Sequence, residues 1–168
     1  DAKVSGVMCA YNALSGQPCC GNDLLMMDIL RNKWAFTGYV TSDCGGINHF
    51  HMRHKTHPNK QSAAADAVLH GTDCECSNNG AYHALNLAVA EGLIKEEQID
   101  VSLQRLFEIR MRLGMFDPVE MVPYSNITTD VLECETHKAH ALKMAQESVV
   151  LLKNKDNLLP LDKKVSGK

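Results

Sequence analysis

The sequence predicts an α/β fold built from parallel βα units. Short apolar runs at 4–11 (VSGVMCAY) and 39–42 (YVTS) read as strands, and 72–76 (TDCEC) reads as a short third strand or a strand-end loop. Segments with helical spacing lie between and after them, and Gly, Pro or Asn punctuates each change of element. Strand, helix, strand, helix, strand, helix is the order that gives a parallel sheet covered by helices.

The first strand runs from Val4 to Tyr11 and is bounded by Asn12. Asn12 to Asn22 holds Gly16, Pro18 and Gly21 and reads as a loop. Asp23 is the expected cap of a helix from Leu24 to Trp34, with Leu25, Ile29 and Leu30 inward. Thr37 and Gly38 break the chain before the strand Tyr39 to Ser42. Gly45 to Asn59 is polar, rich in histidine, and reads as a loop.

Ser62 is the expected cap of a helix ending at Leu69, with Gly71 as its stop. After the third strand and a turn at 77–80, a helix is expected over Ala81 to Leu93, and another over Val101 to Leu113 capped by Asp100. Asp117 to Glu133 carries Pro118 and Pro123 without a clear period and reads as a linker. A last helix spans about Thr136 to Leu152, with Ala139, Leu142, Ala145, Val149 and Leu152 as its inner stripe.

Composition bounds the function class. Across 168 residues the chain is 45% hydrophobic and 22% charged, the balance of an ordinary globular protein. A net charge of −3 lacks the basic footprint of a nucleic-acid binder. No apolar stretch approaches the length of a membrane helix. The chain starts at Asp1, and Lys163 to Lys168 reads as the start of a new strand, so an internal piece of a longer protein is expected. Unpaired sheet edges would then make the piece poorly soluble by itself. The seven cysteines cannot all pair within the chain. Asn126-Ile127-Thr128 fits a glycosylation acceptor, a tripeptide that arises often by chance.

Asp43 is the candidate for chemistry. The run Gly38-Tyr39-Val40-Thr41-Ser42-Asp43-Cys44-Gly45-Gly46 delivers one carboxylate at the C-terminal end of a strand and follows it with a glycine turn. Parallel α/β folds place their chemistry at such strand ends. Other constellations are weaker. Cys74-Glu75-Cys76 lacks zinc-ligand spacing, and no second pair matches it. His49, His51, His54 and His57 lie two and three residues apart on a loop; a solvated or substrate-facing loop is the reading set against a metal site. Asp73 and Glu75, at the third strand end, are candidates to bind hydroxyl groups of a ligand or to satisfy loop backbone donors.

Five blocks occur in order: Val7-Met8-Cys9-Ala10-Tyr11-Asn12, Ser42-Asp43-Cys44-Gly45, Gly71-Thr72-Asp73-Cys74-Glu75-Cys76, Arg112-Leu113-Gly114-Met115-Phe116-Asp117, and Ser148 to Asn154 with Leu158-Leu159-Pro160-Leu161. Together they resemble glycoside hydrolase family 3, the β-glucosidase and β-xylosidase family, over almost the whole chain. The resemblance implies the C-terminal part of a (β/α)8 barrel at 1–116, an inter-domain linker at 117–134, and the beginning of an α/β sandwich domain at 135–168.

It implies a retaining exo-β-glycosidase acting on terminal xylosides or glucosides, with oligosaccharides or aryl glycosides as substrates. Asp43 would be the nucleophile, and the acid/base residue would lie outside this chain, leaving the piece inactive alone. No metal or organic cofactor is implied. Tyr11 would lie near the nucleophile, and Met8 is similar to a pocket methionine, although strand alternation points it away from Tyr11. Cys44 replaces the Trp that follows the nucleophile in many β-glucosidases of the family and looks like the xylosidase and arabinosidase branch. Cys44 is also open to pairing with Cys76, the alternative being two buried thiols. A secreted or periplasmic parent is expected. The competing functional readings are a non-catalytic carbohydrate-binding or structural relative and, more weakly, a metal-binding protein using the histidine loop.

Overall fold

The computed structural model describes residues 3–162. It divides into two compact units, one ending at Met121 and one beginning at Val122.

In the first unit, β1 (Gly6–Cys9) and β4 (Tyr39–Ser42) pair in parallel, with Met8 opposite Thr41 and Cys9 opposite Ser42. The expected third strand contributes only a parallel bridge between Thr41 and Cys74. Its neighbours are still pinned to β4: Cys74 donates its N–H to the Val40 carbonyl at 3.0 Å and accepts the Ser42 N–H at 2.8 Å. The residue order β1, β4, Cys74 is that of consecutive parallel units. Val40 and Ser42 are fully buried and Cys9 nearly so, whereas Met8 is 61% exposed. One sheet face therefore carries the helices, and the face bearing Met8 is uncovered.

β1 ends two residues earlier than expected, so Ala10 and Tyr11 leave the regular strand. The loop after it contains a small hairpin, β2 (Ala13–Leu14) against β3 (Gln17–Pro18). Ser15 and Gly16 both take the left-handed backbone (φ 52° and 85°) that a two-residue hairpin turn needs. A π-wound helix follows at Asp23–Lys33. Its cap is Asn22, not Asp23: the Asn22 carboxamide oxygen accepts the Leu25 N–H at 3.0 Å while its NH2 donates to the Leu14 carbonyl at 3.0 Å. Asn22 is 2% exposed, and both halves of its amide are satisfied.

The histidine-rich segment is not all loop, for α1 (Asn48–Met52) lies within it. α2 (Lys60–Leu69) begins two residues before the expected cap, because Asn59 Oδ1 accepts the Ser62 N–H at 2.9 Å. Ala63, Ala64 and Ala67 of α2 are fully buried and pack in one core with Val40, Ile47 and Phe50. The small side chains let the helix approach the sheet closely; burying Phe50 contributes roughly 1.5–3 kcal/mol. Gly71, at φ 80°, closes the helix.

The helix expected over 81–93 is a 3-10 turn (Ala81–Ala84) followed by the short α3 (Leu85–Ala90), which ends early at a turn where Gly92 takes φ 70°. α4 (Glu96–Arg112) starts before Asp100, since Gln98 Oε1 accepts the Lys95 N–H at 2.8 Å and Glu96 and Glu97 complement the helix dipole.

Among the described residues the second unit holds α5 (Glu135–Ser148) and three 3-10 turns, at Pro123–Asn126, Thr129–Val131 and Lys155–Asn157. α5 stops at Ser148, so Val149 and Leu152 fall beyond the helix they were expected to stripe, and Leu142 is exposed. No buried residue occurs in α5. The expected strand start at 163–168 lies outside the described residues.

Candidate active site

Asp43 follows the last residue of β4 and precedes a turn that doubles back on it. Its Oδ1 accepts the Cys44 N–H at 2.7 Å, and its carbonyl accepts the Gly46 N–H at 2.8 Å. A Cβ at Gly46 would stand 3.0 Å from that carbonyl oxygen, and Gly45 takes φ 72°, so both glycines serve the tightness of the turn. The Asp43 side chain is partly exposed and reachable by a ligand.

Tyr11 reaches the same place. Its phenol donates to the Cys44 carbonyl at 2.6 Å. Partial desolvation, then the hydrogen bond and charge of the neighbouring Asp43 carboxylate, raise the phenol pKa. Alternation along a regular strand would have separated Met8 from Tyr11. The strand stops at Cys9, and the irregular step through Ala10 allows the phenol to turn toward Asp43. Met8 stands on the uncovered sheet face beside Thr41, the face that alternation also assigns to Asp43.

Cys44 and Cys76 are joined as a disulfide with Cα atoms 4.4 Å apart, and both residues are exposed. They are therefore not two buried thiols. The Gly45 N–H also donates to the Cys76 carbonyl at 2.8 Å, and the Cys76 N–H to Ser42 Oγ at 3.3 Å. The turn after Asp43 is thus stitched to the next strand end. A second disulfide, Cys9–Cys20, ties β1 to the 3-10 turn Cys19–Gly21 that precedes the π-wound helix, and it is buried. Sequence reasoning missed it. The signal available was a cysteine at the end of a buried strand and another flanking the next helix.

The other acidic candidates have structural duties. Asp73 is fully buried, pairs with Arg31 at 2.9 Å and Arg105 at 2.8 Å, and accepts the Val40 N–H at 2.8 Å. Glu75 accepts the Ala81 N–H at 3.0 Å and the Tyr82 N–H at 2.7 Å, capping the turn there. Glu75 thus satisfies loop backbone donors, whereas Asp73 is taken up by two arginines distant in sequence and by the Val40 N–H.

The histidines separate into two sets. His49 stacks on Tyr11 with ring centroids 5.0 Å apart, and His54 Nε2 lies 2.8 Å from the Tyr11 carbonyl. His57 faces Asp66 at 3.4 Å instead. Among the described residues no group of three or more His, Cys, Asp or Glu side chains is placed to hold a metal ion.

These features describe a carboxylate at a parallel strand end, with a phenol beside it and an open face in front. The sequence profile of the glycosyl hydrolase family 3 N-terminal domain matches residues 1–109, and the chain belongs to this family. It is 43% identical over 163 residues to a xylan 1,4-β-xylosidase of Xylanibacter ruminicola, covering 97% of this chain and 19% of that protein. It is 40% identical to a probable exo-1,4-β-xylosidase of Aspergillus fumigatus, over 98% of this chain and 21% of the relative.

Among solved structures, a family 3 exo-β-xylosidase in complex with a xylobiose aziridine probe superposes with a TM-score of 0.84 at 37% identity, over 97% of this chain and 21% of the other. A Listeria innocua β-glucosidase in complex with glucose gives a TM-score of 0.78 at 32% identity, over 92% and 21%. The chain spans about one fifth of the length of these relatives.

Proposed function

We propose that the full-length protein is a retaining exo-β-glycosidase in which Asp43 is the nucleophile. One observation carries the reading: the Asp43 carboxylate stands at the C-terminal end of β4, partly exposed, with the Tyr11 phenol beside it. In the first step an Asp43 oxygen attacks the anomeric carbon. The bond to the leaving oxygen breaks as an acid protonates that oxygen, and a glycosyl ester remains. Water, deprotonated by the same second residue, then attacks the ester and frees the sugar and the carboxylate.

The second carboxyl group must stand about 5–5.5 Å from the first. Glu75 is engaged with Ala81 and Tyr82, so the acid/base comes from outside this chain. In this reading 1–116 forms the last part of a (β/α)8 barrel, 117–134 links it to an α/β sandwich, and 135–168 opens that second domain. The chain alone is inactive, because it lacks the acid/base and most of the pocket. Cys44 in the place of a bulky Trp, together with relatives named as xylosidases, supports a β-xyloside over a β-glucoside. Two disulfides, one of them exposed, support an oxidising compartment, secreted or periplasmic.

The test is to trap the full-length protein with a 2-fluoro-xyloside carrying a good leaving group and map the labelled peptide. The label is expected on Asp43, and aryl xyloside is expected to outrun aryl glucoside. A label on another residue overturns the assignment. Unchanged turnover in Asp43→Ala would instead favour a non-catalytic carbohydrate-binding relative.

A further inference from the structure

The mouth of the site contains a run of hydrogen bonds that returns, through Tyr11, to the residue beside its start. Asp43 C=O accepts from Gly46 N–H at 2.8 Å, Gly46 C=O from His49 N–H at 3.1 Å, and His49 C=O from His54 N–H at 2.8 Å. The His54 ring then leaves the segment and places Nε2 2.8 Å from the Tyr11 carbonyl. The Tyr11 phenol donates to the Cys44 carbonyl at 2.6 Å, one residue from where the run began. Tyr11 comes from the end of β1 and every other member from the segment following β4. A carbonyl can only accept, so the His54 tautomer that fits carries its proton on Nε2.

Two contacts make this more than a chain of turns. The His49 ring stacks on the Tyr11 ring at 5.0 Å with the planes 29° apart, which fixes the phenol laterally. The His49 and His54 rings also meet edge to face at 6.5 Å. Tyr11 stands after β1 has ended, so no ladder hydrogen bond holds it. Its neighbour Asn12 is held by the Cys19 N–H at 2.8 Å, and the two histidines hold Tyr11 itself.

Resting on the reading of Asp43 as nucleophile, we infer that His54 is a positioning residue: by clamping the Tyr11 backbone it holds the phenol against the Asp43 turn and so aligns the nucleophile. His49 is its stacking partner. Neither histidine touches the reacting atoms in this role. The effect falls on formation of the glycosyl ester, because that step depends on where the carboxylate points. Misplacement by about 1 Å can cost up to about 100-fold in rate.

The experiment measures the rate of covalent trapping by the 2-fluoro-xyloside in the full-length protein, with kcat, KM and thermal midpoint beside it. His54→Ala is expected to slow trapping by about 10- to 100-fold while KM moves by less than about threefold. His54→Gln, whose amide can donate to the same carbonyl, should recover most of the rate. In a Tyr11→Phe background, which lacks the phenol that His54 positions, His54→Ala should add less than about threefold.

Full multiplicative losses in the double variant would show that His54 acts independently of Tyr11 and overturn the proposal. So would a lowered thermal midpoint with unchanged trapping rate in the folded fraction, or a failure of His54→Gln to recover any rate while it folds normally. If Asp43 itself is not the labelled residue, the nucleophile assignment fails first. If Asp43 is labelled at the wild-type rate in His54→Ala, only the positioning role fails.

Discussion

Replacing Asp73 by Ala should unfold the site without touching the sugar. The Asp73 side chain is 0% exposed, whereas Arg31 and Arg105 are 8% and 27% exposed. Removing the carboxylate strands two guanidiniums and the Val40 N–H together. Loss of one partner of a buried pair costs about 3–5 kcal/mol. An orphaned buried N–H adds about 1–3 kcal/mol.

The terms overlap. Arg31 also keeps its hydrogen bonds to the carbonyls of Phe36 at 3.0 Å, Gly38 at 2.6 Å and Gly71 at 3.1 Å. We therefore expect about 4 kcal/mol in total, a large share of the roughly 5–15 kcal/mol that a domain has. Asp73→Asn keeps an acceptor for Val40 and should lose roughly 1–2 kcal/mol less. Urea titration of the full-length protein, with kcat and KM on an aryl xyloside for the soluble fraction, measures both effects. A variant Asp73→Ala that is as stable as the parent but shows a KM raised tenfold or more would refute the reasoning and make Asp73 a sugar ligand.

Glu75→Ala should cost about 1 kcal/mol, the value of a lost helix cap, and leave KM unchanged; a urea titration and a KM measurement check both halves. His70 lies between Asp66 and Asp23, at 3.2 Å and 3.0 Å, and its hydrogen bond to Asp66 is the main cause that pushes its pKa up to about 9. The folded value lies above the unfolded one of about 6.5, so the pair's stabilisation is full below pH 6.5 and lost as pH rises through 9. Allowing for solvent screening it is worth about 1–2 kcal/mol, and His70→Asn should flatten the fall in urea midpoint between pH 6 and 9. Mild dithiothreitol should open Cys44–Cys76 before the buried Cys9–Cys20, with activity falling in step. Iodoacetamide mapping against time reads the order, and equal labelling of both pairs would count against it.

Elements set by local chemistry were readable from the residues alone. β4 occupies the span 39–42 that the sequence predicts, because an apolar run between a Gly break and a glycine turn has few other solutions. Helix starts were less legible. Asn22, Asn59 and the Lys95–Gln98 contact cap where Asp23, Ser62 and Asp100 were expected, since each stretch offers several capping residues and tertiary contacts choose among them. α1 was hidden because Asn48 to Met52 has no long apolar period; Phe50 alone anchors it.

At the site, Asp43 was visible as a strand-end acid, while the approach of Tyr11 was not a matter of pattern. Alternation gives the wrong relation once a strand ends at Cys9. The ion pairs of Asp73 were not legible at the third strand end because its two partners, Arg31 and Arg105, are 42 and 32 residues away in sequence.

That trio also bears on how such proteins can be recombined. A chimera joined anywhere between Arg31 and Arg105 draws its charges from two parents. It keeps the buried balance only if both parents place a cation, an anion and a cation at the same three places. Crossovers before Arg31 or after Arg105 are free of that condition, and a hybrid library should survive more often there.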